Sequence, residues 1–452
     1  MSSDPHAGLA LLSRLWGELE RHPRELASIA AARHPVPLPA RTDVAGLAWA
    51  SVAAASLAAA RAAGAASVEL DPDRIAVAYA SEKHGQVDGA APTAFAPLSG
   101  FFRTADGWVR THGNYPHHAR ALRCALGLAP DAGREAVADA LGTRGAAEAS
   151  EAIVAAGGIC APVAREDAVA DRVLRTNPLV TITRLGPADA GRWSPDALDA
   201  PLRGIRVLDL TRVIAGSVCT RTLALLGADV LRIDPPAMPE PRWQHLDTGH
   251  GKRSALLDLD DAADRLRLDE LLATADAVVL GYRPAGLARL GLSPASLAAR
   301  KPGIVVAQLS AWGADWPARR GFDSVVQAAS GISWIESADG QAPGVLPAQA
   351  LDHSAGYLLA TAVITLLERR RAEGGSWLAH TSLRRVAAEL CGMPRTSEPA
   401  PAASVAAPAR HLQTFRVAGA RVTTAAPAVA YAGGPTVFAS PRPWGQDAPA
   451  WL

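Results

Sequence analysis

The 452-residue sequence predicts an α/β protein, with a large domain on an open, Rossmann-like parallel sheet and a smaller α+β domain ahead of it. Three observations predict this. Between about 200 and 390, short apolar runs of strand length alternate with stretches at helical spacing, the order that builds a parallel sheet covered by helices. Between about 90 and 190, a hairpin signal precedes two helical stretches. Composition agrees: 49% hydrophobic and 20% charged residues make a globular chain, and its length suits two or three domains.

The elements follow in order. Val44 to Ala60 is Ala/Ser-rich, contains Trp49 and falls short of the ~20 strongly apolar residues of a membrane span, so a soluble helix is expected. FFRTADGWVRTHG (101–113) reads as a hairpin with an Asp106-Gly107 turn, and helical stretches follow near 115–127 and 131–156. Residues 186–201 read as a linker. GIRVLDL (204–210), DVLRID (229–234), DAVVLGY (276–282) and GIVVAQLS (303–310) are strands, with helices at 218–228, ending at Gly227, and at 261–275. A long apolar helix begins after Asp352, and a Pro/Ala/Ser stretch (394–410) precedes a short strand-like tail. A faint repeat relates 46–82 to 356–390: long helix, Gly-containing turn, short strand, second helix. The expected divisions are 1–88 as a partial large-domain repeat, 89–190 as the small domain, 191–394 as the large domain, and 395–452 as linker and tail.

Composition and motifs exclude several functions. With 45 basic against 44 acidic residues there is no basic surplus for nucleic acid. Cys124, Cys160, Cys219 and Cys391 lie far apart, which speaks against a disulfide framework or a structural zinc site. The N-terminal stretch has no basic region followed by an apolar run, so a cytoplasmic protein without membrane attachment is expected. GHGKRS (249–254) is no phosphate loop, because Leu246 and Arg253 stand where Gly and Ser/Thr are needed. His112, His117 and His118 cluster without a helical pair or a carboxylate, so they read as a polar loop, and no metal is expected. Asp352 stands just before the long helix, at the N-cap, where a carboxylate accepts a backbone N–H and complements the helix dipole. The same group also suits nucleophilic attack on an acyl carbon, and spacing alone does not choose.

Five segments in order across about 190 residues carry a resemblance. LRGIRVLDLTRVIAGSVCTRTLALLGADVLRIDPP (202–236), GKRSALLDL (251–259), ADAVVLGYRPAGLARLGL (275–292), RRGFDSVVQAASGI (319–332) and ALDHSAGYLLA (350–360) resemble the family III CoA-transferases, the formyl-CoA transferase and CaiB/BaiF type. The resemblance implies the CaiB/BaiF fold and a CoA-transferase in which Asp352 attacks an acyl-CoA thioester, passing through a mixed anhydride and an aspartyl-CoA thioester. It implies that Val213 and Ile214 line the pantetheine path, and that Leu257, Tyr282 and Arg289 contact CoA, Arg289 through a phosphate. CoA and acyl-CoA are then substrates, with no permanently bound cofactor and no metal. A small carboxylic acid is the other partner, and a homodimer, possibly interlocked, is expected.

Racemases of this family carry His where this chain has Phe322 in Arg320-Gly321-Phe322-Asp323; Phe moves no proton, so transfer is favoured over racemisation. The chain departs from the family pattern in placing its small domain first, in Gly251 and Gly281 at positions usually held by Asn, and in having no clear counterpart of the small-domain glycine loop. Asp43 lies one residue out of register with Asp352 in the repeat and is not counted as catalytic. The competing expectation is a catalytically silent homologue that binds CoA or serves as a partner subunit.

Overall fold

The computed structural model describes residues 5–30, 34–191, 193–195, 197–398 and 405–452. Its centre is a mixed α/β unit with a seven-stranded sheet. In spatial order the strands are Thr181–Gly186, Ser376–Ser382, Val305–Ser310, Ala277–Leu280, Arg206–Leu210, Asp229–Asp234 and Arg253–Leu256. All neighbours run parallel except Thr181–Gly186, which pairs antiparallel with Ser376–Ser382. Helices cover both faces, so the central strands are buried throughout and read as unbroken apolar runs rather than alternation. Successive side chains point to opposite layers. Val207, Val279 and Val305 meet the helices Ala215–Leu225 and Ala350–Glu373, while Leu208, Val278 and Val306 meet Leu268, Leu271 and Leu272 of the helix Ala262–Ala273.

Strand order positions the site. From Arg206–Leu210 the chain winds outward to Asp229–Asp234 and Arg253–Leu256, then returns to Ala277–Leu280 on the other side of the starting strand. The loops at the carboxyl ends of Arg206–Leu210 and Ala277–Leu280 therefore diverge and leave a crevice between them.

The smaller unit has a three-stranded antiparallel sheet, Gly100–Arg103, Trp108–Thr111 and Cys160–Pro162, under the helices Pro116–Ala125, Arg134–Gly142 and Ala146–Ala155. It has its own core around Phe102, Val109, Leu122, Leu141 and Ile153. The stretch 131–156, expected as one helix, is two helices broken at residues 143–145. Residues 181–186, expected with the small domain, contribute the edge strand of the large sheet instead.

The C-terminal stretch is more ordered than its composition implies. Leu412–Val417 and Ala420–Ala425 form a hairpin that Gln86–Val87 extends. The last residues strap the sheet edge: Trp444 Nε1 donates to Asp234 Oδ2 at 3.1 Å, Gly445 N to Ser254 Oγ at 2.9 Å, and Leu452 N to Asp229 Oδ2 at 3.0 Å.

Helix Val44–Ala63 lies along Ala350–Glu373. Each is long and apolar enough to cross a membrane, yet 78% of the apolar window of the first and all of the second are buried inside the fold. Where the repeat predicts a strand after the first long helix, Val68 makes only an isolated parallel bridge to Ile29, and the helix Pro72–Tyr79 follows.

Candidate active site

The loop after Arg206–Leu210 is bent by force. Val213, a β-branched residue, sits at φ 65°, a left-handed conformation that costs about 1–3 kcal/mol and persists only where the surroundings impose it. They do so through a buried ion network. Val213 N donates to Glu240 Oε1 at 2.6 Å, and the fully buried Arg232 holds both Glu240 (2.6 Å) and Asp234 (2.7 Å). The bend places Ile214 at the entrance of the helix Ala215–Leu225, whose first N–H groups have no helical partner and present the positive dipole end. Across the crevice, Gly281 is small for a reason: a Cβ there would stand 3.0 Å from Thr211 Cβ. Lys252 of the GHGKRS segment turns inward to a buried ion pair with Asp209 at 2.9 Å, so it braces the strand end and faces no phosphate.

Asp352 is not the N-cap expected from spacing. The helix begins at Ala350 with Gln349 as N-cap, which makes Asp352 a first-turn residue. Another acid takes over the capping. Asp323, at the start of the helix Asp323–Ala329, accepts Asp352 N at 3.0 Å through Oδ2 and is held by Gln327 Nε2 through Oδ1. With its backbone satisfied from outside, Asp352, a residue 6% exposed, lines the crevice. Burial first, and the neighbouring Asp323 second, hold that carboxyl well above the ordinary carboxylate range. Burial likewise raises Asp323 to about 6, with N–H groups of Asp352 and Leu351, Gln327 and Arg110 pulling it back. The charge on Asp323 thus adds to burial in making Asp352 hold its proton more tightly than an ordinary carboxyl. Gly356, one turn on, lets the helix approach: a Cβ there would stand 2.6 Å from Ala215 O and 2.7 Å from Val218 Cβ. The nucleophile candidate is thereby pressed against the start of the Ala215 helix.

Two adjoining cavities open here. One, of about 330 Å³, is lined by Asp352, Val213, Ile214 and Ala215. The other, of about 570 Å³, is lined by Leu257, Arg265 and Arg289. Met238, Tyr282 and Arg283 line both. The six residues singled out from the sequence thus lie on one continuous pair of cavities, Asp352, Val213 and Ile214 on the first, Leu257 and Arg289 on the second, Tyr282 on the seam.

The histidines read from sequence as a polar loop stand elsewhere. His117 and His118 open the helix Pro116–Ala125 and line the first cavity, while His112 is buried and stacks on Phe322 with ring centroids 3.9 Å apart. Burial, reinforced by His117, Arg320, Arg212 and Arg283, pushes His118 down to about 3, so its ring is neutral at pH 7.

Sequence reasoning also missed the three arginines on the cavity wall, Arg212, Arg283 and Arg320. Arg212 donates to Met238 O at 3.0 Å and lies 4.9 Å over the Tyr115 ring; Arg283 donates to Ala318 O at 3.2 Å. None of them forms an ion pair with a carboxylate among the described residues, although the charge of Arg212 is felt by Asp234, so the wall is lined by positive charge. The only hint was position: each stands inside one of the segments that carry the resemblance, next to Val213, next to Tyr282, and in Arg320-Gly321-Phe322-Asp323.

Comparison with known proteins agrees with this geometry. The family model described as "CoA-transferase family III" matches residues 202–433. A probable fatty acyl-CoA transferase of Mycobacterium tuberculosis is 31% identical over 205 residues, covering 42% of this chain and 52% of that protein. The succinyl-CoA:glutarate CoA-transferase of Homo sapiens is 31% identical over 162 residues, covering 32% and 37%. A formyl-CoA:oxalate CoA-transferase of Rhodopseudomonas palustris is 30% identical over 186 residues, covering 38% and 44%. The chain spans about half or less of the length of these relatives.

Proposed function

Because the chain belongs to CoA-transferase family III, we propose that it moves CoA from an acyl-CoA thioester to a carboxylic acid, with Asp352 as the nucleophile. The observation that carries the reading is the Asp352 carboxyl on the cavity wall beside the Ala215 helix start, with its capping duty transferred to Asp323. A carboxylate oxygen of Asp352 attacks the thioester carbonyl, the C–S bond breaks, and CoA leaves as thiolate from a mixed anhydride. The thiolate attacks the Asp352 carbonyl carbon, which expels the donor acid as its carboxylate and leaves an aspartyl-CoA thioester. The acceptor carboxylate attacks that thioester and releases thiolate again. Thiolate attack on the acceptor carbonyl of the new anhydride gives the new acyl-CoA and restores the Asp352 carboxylate. No net proton is consumed. Each tetrahedral oxyanion would lie near the N–H groups opening the Ala215 helix.

The cavity split supports the assignment of substrate parts. The larger cavity, with Arg289 and Arg265, takes the phosphate end of CoA, and the smaller, with Asp352, Val213 and Ile214, takes pantetheine and the acyl group. Arg212, Arg283 and Arg320 offer charge to the anionic groups of donor and acceptor. The homodimer and cytoplasmic location expected from sequence belong to the same proposal, and light scattering and cell fractionation test them.

The direct test is mass spectrometry after incubation with a panel of short acyl-CoAs, followed by hydroxylamine. Wild type should acquire a CoA-sized adduct or a hydroxamate on the Asp352 peptide, and Asp352→Ala should not. Absence of any adduct while CoA still binds would replace this reading with the silent CoA-binding homologue.

A further inference from the structure

Away from the cavities, four metal-ligating side chains from three separate segments converge. His34 comes from the N-terminal segment, Asp71 and Asp73 from the start of the helix Pro72–Tyr79, and His411 from the turn Pro408–His411. We propose that His34, Asp71, Asp73 and His411 bind a divalent transition-metal ion and staple these segments together.

Ligand atoms of Asp71, Asp73 and His411 all lie within 4.8 Å of one another. His411 Nδ1 stands 3.8 Å from Asp71 Oδ2, and His34 Nε2 stands 3.9 Å from Asp73 Oδ1. Both gaps are too wide for hydrogen bonds. They do match ligands around a shared ion, since two metal bonds of about 2.0–2.1 Å separate their ligand atoms by about 3.3 Å at the tetrahedral angle and about 4.2 Å when opposed.

The hydrogen bonds agree. His34 Nδ1 donates to the Pro35 carbonyl at 2.9 Å, which leaves Nε2 as the ring nitrogen facing Asp73 Oδ1. A His that ligates through one nitrogen and is fixed by a carbonyl through the other is the usual arrangement around a bound metal. Asp71 is divided in the same sense: Oδ1 accepts the N–H groups of Asp73 and Arg74 (3.0 and 3.3 Å), leaving Oδ2 towards His411. Neither acid forms an ion pair with Lys or Arg among the described residues; Arg74 feels the charge of Asp71 but sends its guanidinium to Thr436 O at 2.5 Å. Two imidazoles and two carboxylates suit Zn²⁺ and its neighbours in the transition series.

The staple would act on a helix that matters. The far end of Pro72–Tyr79 backs the nucleophile, with the Tyr79 ring stacked 5.1 Å from His353 and the Tyr79 and Ser354 hydroxyls 3.0 Å apart.

The test uses the full chain stripped with EDTA and titrated with Zn²⁺ against a chromophoric chelator. One Zn²⁺ per chain and a Tm raised by excess Zn²⁺ are expected. His34→Ala and His411→Ala should each weaken binding by about tenfold or more, and His34→Ala should leave the metal-free Tm unchanged because its ring is half-exposed. Co²⁺ should give d–d bands without a thiolate charge-transfer band. No stoichiometric ion, unchanged affinity in both His variants, or a thiolate band that moves the ion to Glu166, Asp171 and Cys391 would each overturn the proposal.

Discussion

Two long apolar helices lie side by side in this protein, each introduced by an Asp and each with a Gly one turn on, and only one of the two acids is placed for chemistry. Asp43 caps its own helix, accepting Gly46 N at 2.9 Å, and folds so closely over it that a Cβ at Gly46 would collide with the carboxyl. Asp352 stands three residues further into its helix, and the capping is done by Asp323 from a neighbouring helix. The lesson is one of division of labour. A carboxyl at a helix start is spent on the backbone unless another group satisfies that backbone, and here Asp323 does so for one helix of the pair.

Breaking the comparison outright gives the largest effect. Asp352→Asn should abolish transfer by at least about 10³-fold, whereas Asp43→Ala should leave kcat within about twofold and cost ~1 kcal/mol as a lost cap. The two should also differ in stability against pH. Burial and Asp323 raise the Asp352 pKa in the fold, so the folded chain binds this proton more tightly than the unfolded chain. Stability from this group is full below the unfolded Asp pKa of ~3.9 and is lost as pH rises through the folded value. Asp352→Asn removes the ionisation and should melt higher than wild type at pH 8, with the gain vanishing near pH 4. Equal melting of the two proteins at both pH values would refute the account.

The glycines sharpen the same comparison at the next level. A Cβ at Gly356 meets backbone, Ala215 O at 2.6 Å, which cannot yield without moving a helix. Gly356→Ala should therefore cost roughly 1–3 kcal/mol by overpacking and lower kcat, because the Asp352 turn is displaced from the Ala215 helix. At Gly46 the colliding group is a side chain, so Gly46→Ala should cost only the cap, ~1 kcal/mol, with kcat kept. Urea melts and steady-state rates on the two variants decide it.

How much of this was legible follows from where the signals come from. The central strands could be read because burial on both faces writes an unbroken apolar run, as in Val305–Ser310. The strand Thr181–Gly186 is largely solvated at the sheet edge, so TITRLG carries no such run and merged with its surroundings. Val68 reads like the strand of the second repeat, but its only pairing is the isolated bridge to Ile29. At the site, Asp352 could be found from its place before a long helix and from family resemblance. Its relation to Asp323, 29 positions away, has no periodicity to reveal it. The arginines of the cavity wall were hidden by a chain whose total charge is +1. Only folding separates them from the acids that balance them in the count.

A smaller effect tests the division of labour directly. Asp323→Asn keeps an oxygen for Asp352 N but removes the second cause of the raised Asp352 pKa, leaving burial alone. Attack requires ionised Asp352, so kcat/KM should rise with pH in wild type until Asp352 has lost its proton. In Asp323→Asn this rising limb should move to lower pH, with the plateau changed by less than about tenfold. A limb that stays in place would mean that Asp323 caps the helix without tuning the nucleophile.

The smallest effect asks whether the first repeat is inert scaffold. Its helix Pro72–Tyr79 touches the second repeat through the Tyr79 hydroxyl, 3.0 Å from Ser354 Oγ, and through ring stacking on His353 and Tyr357 at 5.1 and 5.9 Å. Tyr79→Phe deletes the hydrogen bond and keeps both stacks, so ~1 kcal/mol of stability should be lost with kcat and KM unchanged. If kcat instead falls severalfold at constant KM while the urea midpoint barely moves, the first repeat holds the nucleophile in place. The two helices would then be partners in one site, despite the acid of only one facing the substrate cavity.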